Sequence, residues 1–81
     1  MKKDLFGFGT VDTDNAELIA YRDYTMEGKE IEDKMYLSPE GTYFLYRIAD
    51  NQSNMLFPLW KKDIREAKEN VGQIADWTFV A

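Results

Sequence analysis

The chain has 81 residues, a length that predicts a single domain, 1–81, with a small hydrophobic core. It contains neither cysteine nor histidine, which excludes a disulfide framework and removes the commonest metal ligand and acid–base group. The formal net charge is −5, and the excess acidity lies in residues 1–40, which hold ten acidic and five basic residues. Such a charge balance disfavours direct binding to nucleic acid or to an anionic membrane, and a basic partner surface is its natural complement.

Residues 1–16 predict a flexible or loosely strand-like start. The aromatic and glycine run Phe6–Gly9 lacks the glycine spacing of a phosphate-binding loop, so a packed terminal strand is favoured over a nucleotide site. Asp12, Asp14 and Glu17 resemble the opening of a calcium loop. The next positions do not supply the oxygen ligand and the glycine that such a loop requires, which favours a solvated acidic turn.

Residues 17–25 carry β-branched and aromatic side chains and predict a strand. Asp14 or Asn15 could equally cap a short helix over the same residues, so that alternative stays open. Gly28 then marks a turn into a second strand beginning near residue 30. We expect these strands and the next one to form an antiparallel meander.

A β-hairpin over Met35–Tyr46 is the strongest pattern in the chain. The loop Pro39–Gly41 has the proline and glycine of a type I turn with a bulge, and Ser38 can bond the local backbone. Counting outward from this loop predicts the strand register. The expected pairs are Ser38 with Thr42, Leu37 with Tyr43, Tyr36 with Phe44, Met35 with Leu45, Lys34 with Tyr46, and Asp33 with Arg47.

Both faces of this hairpin are apolar, because side chains alternate along a strand. One face carries Met35, Leu37, Tyr43 and Leu45, with the Asp33 and Arg47 pair at its edge. The other face has no second helix to cover it, and only the N-terminal segment with Phe6 and Phe8 could do so. We expect this face to bind a protein partner or a second copy of the chain. The predicted partner-binding residues on that face are Tyr36, Phe44, Tyr46 and Ile48.

One helix is predicted after the polar loop 50–54 and a short apolar return at Met55–Phe57. It covers residues 58–71, with Trp60, Ile64, Ala67 and Val71 in one stripe and Gly72 beyond its end. Residues 73–80 alternate again and predict a last strand. The expected core residues are Met35, Leu45, Trp60, Ile64, Ala67 and Trp77.

Carboxylates are frequent, but no pair is set in an apolar cleft that would raise a pKa for general acid catalysis. With no histidine to activate a serine, nucleophilic catalysis is equally unfavoured. We therefore expect no enzyme activity, no cofactor and no metal. The predicted acidic surface comprises Asp12, Asp14, Glu17, Glu27, Glu30, Glu32 and Asp33.

The segments MYLSPEGTYFLY and FPLWKKDIREA, within residues 35–69, carry a resemblance. Together they resemble small proteins of unknown activity encoded on plasmids and conjugative elements of Gram-positive bacteria. In that pattern a serine or threonine follows the Pro-Leu pair, where this chain has Trp60. The resemblance implies an accessory protein of a mobile element and transfers no catalytic residue.

These patterns predict an α+β domain in which one helix packs on an antiparallel sheet of about four strands. The expected function is a non-catalytic interaction module that binds through the aromatic hairpin face. The alternative is an acidic inhibitor that imitates nucleic-acid charge and occupies the basic groove of a nuclease or other defence enzyme. No secretory or membrane-spanning segment is visible, so we expect a cytoplasmic protein.

Overall fold

The computed structural model describes residues 1–80 and has an α+β architecture. A five-stranded antiparallel sheet has the order β6-β5-β4-β3-β7, and a separate two-stranded hairpin is formed by β1 and β2. The strands are β1 (Lys2–Leu5), β2 (Gly9–Asp12), β3 (Glu17–Met26), β4 (Lys29–Leu37), β5 (Tyr43–Ala49), β6 (Ser53–Pro58) and β7 (Thr78–Phe79). The helix is α1 (Lys61–Glu69), which is too short and too polar to cross a membrane, and no other α-helix occurs in residues 1–80.

The central hairpin is confirmed with its predicted register. The pairing of β4 with β5 joins Leu37 to Tyr43 and continues in steps to Asp33 opposite Arg47. The backbone N–H of Ser38 donates to the carbonyl of Thr42 at 2.9 Å. Gly41 has φ of +92°, the left-handed conformation that a glycine adopts without a Cβ penalty. Turn chemistry therefore fixed the register locally.

The segment 17–25 is a strand, which excludes the helical alternative. Its partner strand begins after the two-residue turn Glu27-Gly28, in which both residues have positive φ, as a type I′ turn requires. The predicted sheet of about four strands has five, because Met55–Phe57 belongs to β6 and pairs with β5. The last strand is also shorter than predicted: only Thr78–Phe79 pairs with β3, while residues 73–77 wrap against the sheet.

The helix is shorter than predicted at both ends. It begins at Lys61 because Pro58 still belongs to β6, and it ends at Glu69 because Asn70 takes a left-handed conformation with φ of 53°. The N–H of Val71 then closes the end by donating to the carbonyl of Glu66 at 3.1 Å. The prediction that Trp60 is a core residue was wrong, since it lies outside the helix and is 65% exposed. Val71, which was predicted to lie in the same helix stripe, is also outside the helix and is 56% exposed.

Helix α1 covers one face of the five-stranded sheet. Ile64 and Ala67 are buried there against the sheet, and Trp77 closes the same core from the chain that follows the helix. The buried residues of this first core are Ala20, Met35, Leu45, Ile64, Ala67 and Trp77.

The β1–β2 hairpin covers part of the opposite face. Leu5 and Val11, which lie on these two strands, pack on Phe44 and Leu56 of the sheet, and all four side chains are at most 4% exposed. The expectation that the aromatic hairpin face stays open was therefore wrong for its centre. A terminal segment that looked loosely structured in sequence supplies the missing layer, because it too can bury apolar side chains on one face of a hairpin.

Candidate functional site

The tip of the β1–β2 hairpin presents an aromatic side chain to solvent. Leu5 pairs with Gly9, and the loop between them turns through two glycines, Gly7 and Gly9, with φ of +80° and +85°. The N–H of Phe8 donates to the carbonyl of Leu5 at 2.8 Å, which closes the turn. Phe6 stands at the tip and is 99% exposed. This ring contributes almost nothing to the core.

A second exposed aromatic residue lies at the start of the helix. Trp60 occupies the N-cap position, where serine, threonine, aspartate and asparagine are preferred because their side chains accept a hydrogen bond. An indole has no such acceptor. Only the reverse half of a capping box is formed, in which the backbone N–H of Trp60 donates to Asp63 Oδ2 at 2.8 Å. The Trp60 side chain therefore occupies this position without serving the helix.

The two regions meet through Phe8. Its ring is half-buried against the second core and contacts the Trp60 ring edge to face, with the ring centroids 5.0 Å apart. A shallow hollow of about 190 Å³ lies beside this contact and includes Leu59 in its wall. Gly41 is at its rim, and a Cβ at that residue would meet no atom within 4 Å. We call Phe6, Phe8 and Trp60 the aromatic surface.

The predicted partner-binding residues are divided by the structure. Phe44 is fully buried, so a partner cannot reach it. Tyr36, Tyr46 and Ile48 are half-buried, and Tyr36 stacks on Phe44 with the ring centroids 5.4 Å apart. Tyr36 and Tyr46, like Phe8, pack against the second core. The two most exposed aromatic side chains, Phe6 and Trp60, thus lie outside the predicted face, on the covering hairpin and just before the helix.

The predicted acidic residues do not form one surface. Asp12 and Asp14 lie within 3.7 Å and 3.6 Å of the N-terminal ammonium group, and Glu27 is in the turn between β3 and β4. Glu17 is exposed at the beginning of β3. Glu30 and Glu32 border a hollow of about 420 Å³ that also includes Ile48 and Asp23, an acidic residue outside the predicted set.

Asp33 was wrongly placed on the acidic surface, since it is fully buried. The predicted pairing with Arg47 is present: Arg47 Nε and Nη2 donate to the two carboxylate oxygens at 2.8 Å and 3.1 Å. Arg22 Nε donates to Oδ2 at 2.9 Å, and the Tyr24 hydroxyl donates to the same oxygen at 3.1 Å. The sequence pattern did not reveal Arg22 as a second partner.

Burial alone would raise the pKa of the Asp33 carboxyl, but the hydrogen bonds and charges of Arg47 and Arg22 outweigh it, so this pKa is lowered. Burial, together with the charge of Asp33, raises the pKa of the Tyr24 hydroxyl, which keeps it a donor. Arg22 also lies over the Trp77 ring, with its guanidinium carbon 4.2 Å from the centroid. This network is satisfied within the fold and joins the sheet to the chain after the helix.

The aromatic surface can contribute apolar and aromatic contacts to a bound molecule. Within residues 1–80, no group of three or more acidic side chains is placed to hold a metal ion. The residues of the aromatic surface, Phe6, Phe8 and Trp60, were not among the predicted partner-binding residues. Two sequence patterns could have indicated them. Phe6 and Phe8 are aromatic residues beside glycines at a turn, and Trp60 is a tryptophan where a helix cap is expected.

No protein-family model, curated protein or solved structure matches this chain.

Proposed function

We propose that this chain is a non-catalytic interaction module that binds a partner protein through the aromatic surface. The observation that carries the proposal is the exposure of Phe6 and Trp60, at 99% and 65%, in positions outside both cores. Exposed aromatic residues lose contact with water when a partner covers them, and tryptophan is among the residues that contribute most to binding. Tyr36 and Tyr46 are half-buried against the same core as Phe8.

The resemblance of residues 35–69 to proteins of plasmids and conjugative elements supports an accessory role in a bacterial mobile element, exerted in the cytoplasm. The partner in this proposal is another protein or a second copy of the chain. The acidic residues of the sheet affect the orientation and the association rate of the partner more than its affinity, because exposed charges are well screened.

The substitution Trp60→Ser tests the proposal, since it separates binding from folding. Serine at the N-cap contributes about 1 kcal/mol, which offsets the loss of an edge-to-face contact worth about 0.5–1.5 kcal/mol. We therefore expect a melting temperature close to that of the wild type. Partner capture from a Gram-positive bacterial lysate, followed by mass spectrometry, should be lost, together with any dimer seen by light scattering.

The matched control is Ile74→Ser, which removes an apolar side chain of similar exposure, 57%, from the segment after the helix. It should retain both the partner and the molar mass of the wild type. If Trp60→Ser captured the same proteins in the same amounts as this control, the aromatic surface would not be the binding site.

A second candidate function is an acidic inhibitor of a nucleic-acid-binding enzyme, and one observation favours it. Asp23 lies directly opposite Glu32 in the pairing of β3 with β4, although like charges at such positions destabilise a sheet. Lys34 Nζ lies 3.2 Å from one oxygen of Glu32, but no ion pair with Asp23 or Glu30 occurs in residues 1–80. An unfavourable local charge arrangement suits a surface whose complement is a basic groove.

Inhibition assays distinguish the two functions. The chain would be titrated into a panel of DNA-cleaving enzymes, with the double variant Asp23→Asn and Glu30→Gln in parallel. An inhibitor should lose its effect in that variant and keep it in Glu40→Gln, which alters an exposed carboxylate of the β4–β5 loop. The absence of inhibition across the panel would leave the interaction module as the better description.

A further inference from the structure

A groove continues from the aromatic surface along one side of helix α1. The hollow beside Phe8 and Trp60 shares Tyr43 and Lys61 with a second hollow of about 360 Å³. This second hollow lies between the helix and Tyr43, whose ring is half-buried against the first core. Because the two hollows share two wall residues, they are adjacent, and we call them together the groove, which has an aromatic end and a helical side.

The helical side of the groove is basic. Lys61, Arg65 and Lys68 stand at offsets of 0, 4 and 7 residues, so they share one helix face, and all three border the second hollow. All three are exposed, and none forms an ion pair with residues 1–80. By contrast, Lys62 lies on another side of the helix, with its Nζ 3.8 Å from Glu66. Glu69 is the single carboxylate at the groove, against three cations.

We propose that this groove binds an extended acidic segment of the partner protein, with one aromatic or large apolar side chain against Phe8 and Trp60 and acidic side chains along Lys61, Arg65 and Lys68. This inference rests on the proposed function and specifies the chemistry of its partner. Charge complementarity decides the occupant: unpaired cations in a chain of net charge −5 make this groove the place where an anionic segment is attracted instead of repelled.

The dimensions agree with such a segment. A rise of ~1.5 Å per residue separates Lys61 from Lys68 by about 10 Å along the helix axis. An extended peptide covers that distance in about three residues, at ~3.3 Å each. A ligand with one aromatic residue followed by three acidic residues would therefore reach from Trp60 to Lys68. A nucleic acid is less well suited, because its phosphate chain would continue beyond the three groove cations onto the rest of the chain, whose net charge is negative.

The probe is a fluorescein-labelled synthetic peptide with one phenylalanine followed by three glutamates, and its binding to the full chain is measured by fluorescence anisotropy. One control peptide carries glutamines in place of the glutamates, and another carries alanine in place of the phenylalanine. Both should bind more weakly than the probe. Added salt should weaken the probe and leave the glutamine peptide unchanged.

Two matched variants locate the site. Arg65→Glu and Lys62→Glu change the net charge by the same amount at exposed positions of one helix, but only Arg65 borders the groove. We expect Arg65→Glu to weaken the probe about tenfold and Lys62→Glu to leave its affinity within about twofold, since charge effects are strongest at short range. Thermal melting confirms the fold of each. If Arg65→Glu fails to fold, Lys68→Gln removes a groove charge without reversing it.

Three results would overturn the inference: equal weakening by Arg65→Glu and Lys62→Glu, no binding of the probe to the wild type, or tighter binding of a single-stranded oligodeoxynucleotide of equal charge. A concentration-dependent molar mass that Arg65→Glu returns to the monomer would instead assign the groove to a second copy of the chain. If Trp60→Ser still loses partner capture while the probe fails, the interaction module stands and only its acidic ligand is refuted. If Trp60→Ser captures normally, the module itself fails.

Discussion

Asp33 is the residue on which the charged interior depends. Its carboxylate is fully buried and accepts hydrogen bonds from Arg22, Tyr24 and Arg47. Two arginines around one carboxylate leave a net positive charge, which Arg47 shares with solvent because its side chain is 28% exposed. Removing the carboxylate would leave Arg22 buried without an opposite charge, and that is far more costly than losing an exposed ion pair.

Asp33→Asn should lower the free energy of unfolding at neutral pH by about 3 kcal/mol. The folded-state pKa of Asp33 lies below its ordinary value of 3.8, so its stabilising effect is present above that pH and is lost as the pH falls through the folded-state pKa. The wild type should therefore lose stability in this acid range, and the variant should lose less. Urea unfolding at a series of pH values measures both effects.

Glu40→Gln is the control, because Glu40 is exposed in the loop between β4 and β5. It should keep the stability of the wild type at neutral pH and the same acid dependence. Parallel curves for the wild type and Asp33→Asn throughout the acid range would contradict the assignment of this dependence to Asp33.

At the scale of the elements, helix α1 is attached to the sheet by a narrow apolar stripe. Only Ile64 and Ala67 of its nine residues are buried. A helix this short is not stable by itself in water, so its stability comes from these contacts and from its closed C-terminal end. Asn70 stabilises this end in two ways. Its backbone adopts the left-handed conformation, and its side-chain Oδ1 accepts a hydrogen bond from the backbone N–H of Trp77 at 2.8 Å.

Ile64→Ala should lower the free energy of unfolding by about 2–4 kcal/mol, because it leaves a cavity between the helix and the sheet that the surroundings fill only in part. Thermal or urea unfolding measures this change. The control is Val71→Ala, at a position that the sequence assigned to the same stripe but that is 56% exposed. Its cost should stay within about 0.5 kcal/mol. Similar costs for the two variants would mean that the helix does not dock through Ile64.

At the scale of the whole molecule, a different secondary-structure element packs on each face of the five-stranded sheet. Helix α1 covers one face, and the β1–β2 hairpin covers the region around Phe44 on the other. The β1–β2 hairpin therefore packs on the centre of the face that the sequence predicted to bind a partner. The same hairpin also carries Phe6 and Phe8. It therefore buries one apolar face and presents two residues of the aromatic surface on its own turn.

Leu5→Asp should detach this hairpin, because a buried carboxylate without a partner is strongly unfavourable. Phe44 and Leu56 would then become accessible. We expect a lower melting temperature, binding of a hydrophobic dye such as ANS, and self-association that light scattering detects as a concentration-dependent mass. Thr10→Lys, which introduces a charge at an exposed position of β2 opposite Asp4, should do none of these. A Leu5→Asp chain that melts like the wild type and binds no dye would show that the hairpin is not needed to cover the sheet.

The sequence by itself determined the α+β class, the register of the central hairpin, the presence of one helix and most of the first core. These follow from local rules: the turn Pro39–Gly41 sets the pairing of its strands, and a period of 3.6 residues identifies Ile64 and Ala67 as one face. The pairing of Asp33 with Arg47 follows from the same register. Of the candidate site, only the aromatic character and the general region could be read in this way.

Tertiary structure alone decided which apolar face is interior and which is surface. The covering of Phe44 by Leu5 and Val11 joins segments more than 30 residues apart, and a period of two residues is the same for a strand face covered by its own chain as for one left to a partner. Trp60 shows the reverse case. It fits the helical period of Ile64, but Pro58 remains in β6. The helix therefore begins at Lys61, one residue after Trp60, and the indole stays in solvent. Periodicity identifies faces, and long-range packing decides what lies against them.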